Sequence, residues 1–130
     1  ATPAIKLLRE AVVRTVKAKG HLKGLDGRTL PIRSEHSALN MLLQSAGAIL
    51  AKKATVILYE NLTRMGYVFG KDYALVAHVH DEVQLITKEE ISTIVGQQAV
   101  TAFQEAGEYY GFRCPISGEF KVGQTWADTH

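Results

Sequence analysis

The segment from Ser34 to Gly66 constrains the fold more than any other. Leu39, Leu42, Leu43, Ala46, Ile49, Leu50, Val56, Ile57 and Leu58 recur at helical spacing and make one long helix apolar on more than one side. Ser34 stands where an N-cap belongs, and Gly66 where a helix stops. A helix of roughly 30 residues far exceeds the ~11–12 usual in globular domains. In a chain of 130 residues it is expected to be the central spine, flanked on several faces.

The rest of the chain supplies the flanks. Thr2-Pro3 reads as a helix start, Ile5, Leu8, Val12 and Val16 follow at helical spacing, and Gly20 stops the run, so residues 3–19 are expected to be helical. GLDGRTLPIR (24–33) reads as a short hairpin with Asp26-Gly27 as its turn. DYALVAHVHDEVQLIT (72–87) reads as two strands, 74–79 and 83–87. Thr87-Lys88-Glu89-Glu90 has the pattern of a capping box opening a third helix, with Ile91, Ile94, Val95, Ala99, Ala102, Phe103, Ala106 and Tyr110 in its apolar stripe and Gly111 at its end. The tail, GEFKVGQTWADTH, suggests a short last strand and an irregular terminus. The expected class is α+β, a long central helix and flanking helices packed on a small antiparallel sheet, in a single domain covering 1–130.

With 46% hydrophobic and 22% charged residues, the chain has the make-up of one soluble domain, and no apolar stretch is expected to approach the roughly 18 residues of a membrane span. ATPAIKLLRE carries charges inside its apolar part, unlike a signal peptide. One cysteine, Cys114, leaves no internal disulfide and suits a reducing compartment. The net charge is only +2, but residues 1–33 carry +6 and the remainder −4. A basic end on a mildly acidic body is compatible with a polyanion partner, and equally with a solvated helix face.

Within the apolar stretch AHVHDEVQLI (77–86), His78, His80, Asp81 and Glu82 are out of place. A connection His80-Asp81-Glu82 contains none of the Gly, Asn or Pro residues that make a tight turn easy, so its side chains have another use. A short carboxylate at a rigid hairpin tip suits a hard cation such as Mg²⁺, which takes one or two carboxylates plus phosphate oxygens. Acidic residues at such turns are also commonly just solvated. A rival reading takes His78-x-His80-Asp81 as a transition-metal site, since residues two apart on a strand share a face. It lacks a third ligand, because His21, His36 and His130 lie in unrelated contexts.

His36, Asn40 and Gln44 form a second cluster, spaced i, i+4, i+8 along the long helix. Buried amides without partners are costly, so the row faces either water or a polar ligand. The DNA minor groove is one such ligand, with acceptors at every base pair whatever the sequence.

VHDE (79–82), RSEHSALNMLLQSAGA (33–48) and GQTWADTH (123–130) together resemble the family A DNA polymerases, the DNA polymerase I-like enzymes. GLDGRTLPIR and TPAIKLLRE are similar to the phage replicative branch, and the resemblance runs over essentially the whole chain. It implies part of a palm subdomain with a catalytic β-hairpin, in an enzyme of a bacterial host's cytoplasm that binds primer–template DNA and a dNTP and uses two Mg²⁺ ions. By motif position, Asp81 resembles the metal-binding catalytic residue, Glu82 an accessory carboxylate, and His80 a support for the primer terminus. Asn40 and Gln44 match positions that contact the minor groove. His36 stands where bacterial repair enzymes have arginine, with Arg33 as a nearby charge. His130 matches a chain end that packs near this site, which would make it the natural C-terminus.

The pattern is incomplete. Asp26, Asp72 and Asp128 do not match the family's second metal-binding aspartate, and no segment resembles its nucleotide-gripping helix. Both are expected to precede Ala1, which makes this chain the C-terminal piece of a polymerase. Alone, it is expected to bind Mg²⁺ weakly or not at all, to be inactive, and to self-associate through exposed apolar faces. Two other classes stay open: a non-catalytic DNA-binding module, and a small hydrolase built on His78, His80 and Asp81.

Overall fold

The computed structural model describes residues 2–129. Its contacts group into two compact units, one ending at Ile49 and one beginning at Leu50.

In the first unit, α1 (Pro3–Lys19) has the bounds its sequence sets. Pro3 occupies the first turn, where a missing N–H costs nothing. Gly20 caps the other end at φ 72°, and its N–H donates to the Val16 carbonyl at 2.7 Å. Strands β1 (His21–Lys23) and β2 (Thr29–Pro31) follow, antiparallel, with Leu22 opposite Leu30. Asp26-Gly27 therefore lies in a loop of residues 24–28, and the hairpin begins earlier than GLDGRTLPIR suggests. The Asp26 carboxylate accepts the Arg28 Nε–H at 2.8 Å and the Arg28 backbone N–H at 3.2 Å, and the Arg28 side chain above all holds its pKa below the ordinary value. Val12, Val16, Leu22, Leu30 and Ala38 form the core of this unit.

The long helix α2 (Ala38–Arg64) has 27 residues. Ser34 does not cap it with its side chain. The Ser34 carbonyl instead accepts the Ser37 N–H at 3.1 Å and the Ser37 hydroxyl at 2.9 Å, so the chain enters through a 3₁₀ turn, Glu35–Ser37. Contrary to the reading of its composition, Glu35–Arg64 is long and apolar enough to cross a membrane, with a mean hydropathy of 1.4 in its 18-residue window. Lys52 and Lys53 at its middle would be costly there, and some of its apolar positions belong to each of the two cores.

In the second unit, Ala54, Ile57, Leu58 and Leu62 of α2 pack with Tyr73, Ile91, Val95, Ala99, Ala102 and Ala106. Leu62 is fully buried, a contribution of about 1.5–3 kcal/mol. Strands β3 (Tyr73–Val79) and β4 (Glu82–Thr87) lead to α3 (Ser92–Tyr109). The capping box at Thr87 does not form, because Thr87 is committed to the ladder opposite Tyr73. A 3₁₀ turn, Glu89–Ile91, intervenes, with the Ser92 hydroxyl donating to the Glu89 carbonyl at 2.8 Å.

The expected last strand is also absent among the described residues. The tail returns along α3 as unpaired chain: a Cβ at Gly107 would lie 2.6 Å from Ile116 Cγ1, and one at Gly96 would strike the Phe120 ring. These glycines are what let the tail lie against the helix. Near its end, Asp128 accepts the Thr125 N–H at 2.7 Å and the Thr125 hydroxyl at 2.9 Å, which hold its carboxyl below its ordinary pKa. That pair opens a final 3₁₀ turn, Trp126–Thr129.

Candidate functional site

The hairpin β3–β4 is built to hold its tip out from a tied base. Phe69 and Tyr73 meet edge to face at 5.5 Å just before and at the start of β3, and Tyr73 is buried in the core. At the base, Asp72 accepts the Val68 N–H at 2.8 Å and the Lys88 ammonium at 2.6 Å. The Lys88 bond, then the Val68 N–H, hold the Asp72 carboxyl below its ordinary pKa, and Asp72 in turn raises that of Lys88.

Along the ladder, Leu75 pairs with Leu85 and Ala77 with Gln84, so Val76 is an extra residue in β3. Such a bulge reverses the alternation of faces beyond it. His78 is thereby placed opposite Val83, on the face that carries Tyr73 and Leu85.

Val79 and Glu82 are the last pair, which leaves a two-residue turn of His80 and Asp81. The expected three-residue connection is one residue too long, because Glu82 already belongs to β4. His80 takes a φ of 53° and is the one non-glycine residue with positive φ among those described. A left-handed first position suits the twist of a two-residue hairpin, but without glycine it costs on the order of 1–3 kcal/mol. Asp81 and Glu82 are exposed. Glu82 extends along the strand toward Gln84, whose amide reaches it at 3.4 Å. An open recess of about 730 Å³ runs from Asp81 and Glu82 between β4, α3 and the tail.

The His78-x-His80 reading loses its geometric basis, since His80 lies in the turn, outside the strand alternation. No group of three metal-ligating side chains occurs among the described residues. The polar row also needs amending. His36 belongs to the 3₁₀ turn before α2, whereas Asn40 and Gln44 share one exposed face of the helix, about 40° apart. Neither amide has a hydrogen-bond partner among the described residues. Arg33 is exposed in the preceding loop. The row lies in the first unit and the hairpin in the second. His130 falls outside the described residues.

Sequence reasoning missed Gly96, Gly107 and Lys88. The mid-helix glycines were the readable signal, since glycine inside a helix is unfavourable unless something approaches closely.

The pattern of DNA polymerase family A matches residues 2–128. The chain belongs to that family. It is 40% identical, over 99% of its length, to the DNA-directed DNA polymerase of Escherichia phage T7, and equally so to that of Enterobacteria phage T3. DNA polymerase I of Aquifex aeolicus is 29% identical over 95% of the chain. This family A segment spans about a fifth of each relative's length, 21%. Among solved structures, the POL domain of Pol1 from M. smegmatis, in complex with DNA primer–template and dNTP, matches 78% of the segment and 19% of that chain. Its TM-score is 0.68 at 19% identity, a likeness of fold. Nothing in these matches favours the binding-module or hydrolase readings.

Proposed function

We propose that this family A segment is the C-terminal part of the palm of a phage-type DNA-directed DNA polymerase, and that the complete enzyme carries out template-directed nucleotidyl transfer in a bacterial host's cytoplasm. The observation that carries this reading is Asp81, exposed on a strained two-residue turn whose hairpin is tied at its base by Asp72 and Lys88. A rigid, solvent-facing carboxylate is what a site for substrate-bound Mg²⁺ requires.

The donor set fits Mg²⁺ in part. Asp81 supplies one short hard-oxygen ligand, with Glu82 beside it as an accessory carboxylate. A second anchoring carboxylate would come from outside these residues. When bound, the metal ions supply charge neutralisation at the attacking and leaving oxygens. His80 supports the primer terminus from the left-handed position of the turn, next to Asp81. Asn40 and Gln44 offer unpartnered amide donors to minor-groove acceptors, with His36 and Arg33 contributing nearby. Such contacts sense base-pair shape without reading identity.

Asp81→Asn in the complete polymerase tests the reading. Removing the charge while keeping the shape is expected to lower primer extension by at least about 100-fold, the scale of losing one charge-stabilising group. Primer–template affinity stays within about twofold. Activity near that of the wild type would show that Asp81 does not hold the metal.

A further inference from the structure

We infer that the exposed basic face of α1 is a second nucleic-acid contact, one that grips duplex phosphates by charge and is separate from the amide row of α2. The inference rests on the proposed polymerase function.

At 100° per residue, Lys6, Arg9, Val13 and Lys17 fall within about 80° of one another on α1, with Arg14 about 60° further round. The face flanks the stripe of Val12 and Val16 that packs on the core. Glu10 is the one acidic residue of the helix. Lys6, Arg9, Glu10, Val13 and Arg14 border a shallow surface recess of about 500 Å³. Lys6, Arg9 and Arg14 have no ion-pair partner among the described residues. Lys17 reaches Glu35 at 3.5 Å, but both side chains are exposed, and such a pair holds by about 0–1 kcal/mol at most. These cations are free to meet an anion.

Spacing and charge favour nucleic acid. Lys6 and Lys17 are about 16 Å apart along the axis, about the rise of five phosphates on one strand at ~3.4 Å each. The chain's positive charge is concentrated in residues 1–33, and the rest is net negative, so attraction to DNA is focused on the unit that also presents Asn40 and Gln44. A lipid surface fits poorly. Ile5 and Leu8 are exposed about 60° apart, but they continue the Val12 and Val16 stripe that packs on the core, and Leu7 lies about 100° from Leu8, so the basic face itself carries no apolar band to insert.

The test is the salt dependence of primer–template affinity, measured on the complete polymerase between about 50 and 200 mM salt. The variant Lys6→Gln/Arg9→Gln/Arg14→Gln is compared with an equal-charge control in the other unit, Lys52→Gln/Lys71→Gln/Lys121→Gln. All six side chains are exposed, and circular dichroism checks that both variants fold. Each lost phosphate contact flattens the slope of log affinity against log salt by about 0.9, so the α1 variant is expected to flatten it by about 2–3. The control keeps the wild-type slope, and Lys6→Arg/Arg9→Lys/Arg14→Lys restores it. An unchanged slope in the α1 variant, or an equal change in the control, overturns the inference while leaving the polymerase reading intact. Wild-type enzyme that does not bind primer–template overturns both.

Discussion

Lys88 Nζ donates to Asp72 Oδ1 across 2.6 Å, and the Lys88 backbone N–H donates to the Asp72 carbonyl at 2.9 Å. Asp72 directly precedes β3 and Lys88 directly follows β4, so the two residues close the base of the hairpin that carries Asp81. A tip is only as rigid as the base behind it.

This pairing sets a pH dependence. Asp72 has a pKa below its ordinary 3.8 in the fold, so its stabilisation is complete above that value and is lost as pH falls through the folded pKa. Lys88 is raised, so its share is complete below its ordinary 10.5 and is lost as pH rises beyond it. The melting temperatures of wild type and Asp72→Asn are therefore expected to differ most at neutral pH and to converge toward both extremes. Parallel curves from neutral to strongly acidic pH would mean that the carboxylate contributes nothing.

The turn separates stability from activity. His80→Gly relieves the left-handed backbone and is expected to stabilise the fold by about 1 kcal/mol in urea denaturation, the low end of the cost of such a residue. The same change removes the imidazole, and primer extension by the complete enzyme falls. Full activity with greater stability would assign His80 no part at the primer terminus.

Gly96 makes a case against helix propensity. Alanine in an ordinary helix interior stabilises by up to about 1 kcal/mol relative to glycine. Here the new methyl group meets the Phe120 ring, so Gly96→Ala is expected to destabilise by about 1–3 kcal/mol and to loosen the tail, read by Trp126 fluorescence. Combined with Phe120→Ala, the same change becomes neutral or favourable. A double-mutant cycle with no coupling would refute the contact.

The 130 residues alone are expected to show no templated incorporation above a no-protein control, because one anchoring carboxylate cannot fix both ends of an in-line displacement. Leu43, Val56, Tyr59, Ile86 and Val122 are large apolar side chains left exposed. Light scattering at micromolar concentration is expected to show self-association, and a monodisperse monomer would argue that these faces are tolerated in water.

The helical parts were legible because their signals are local. Pro3 and Gly20 set the ends of α1 within its own sequence, and the apolar recurrence from Leu39 to Leu58 sufficed for α2. Asp81 and its neighbours were legible because charged residues are anomalous in an apolar strand, and their order relative to the 33–48 segment pointed to the family that the matches establish. Ser34 and Thr87 misled because cap-forming residues have other uses for their backbones. One offers its carbonyl to a 3₁₀ turn, and the other is held in a β ladder.

The sequence by itself thus determined which elements form, roughly where, and which family they belong to, since periodicity, helix-ending residues and motif spacing act over a few residues of chain. Only the tertiary structure decided the bulge at Val76, the left-handed turn at His80, the Asp72–Lys88 closure and the tail lying on Gly96 and Gly107. Each is fixed by contact between residues distant in sequence or by pairing across two strands. A backbone state that is unfavourable locally persists because those contacts outweigh it.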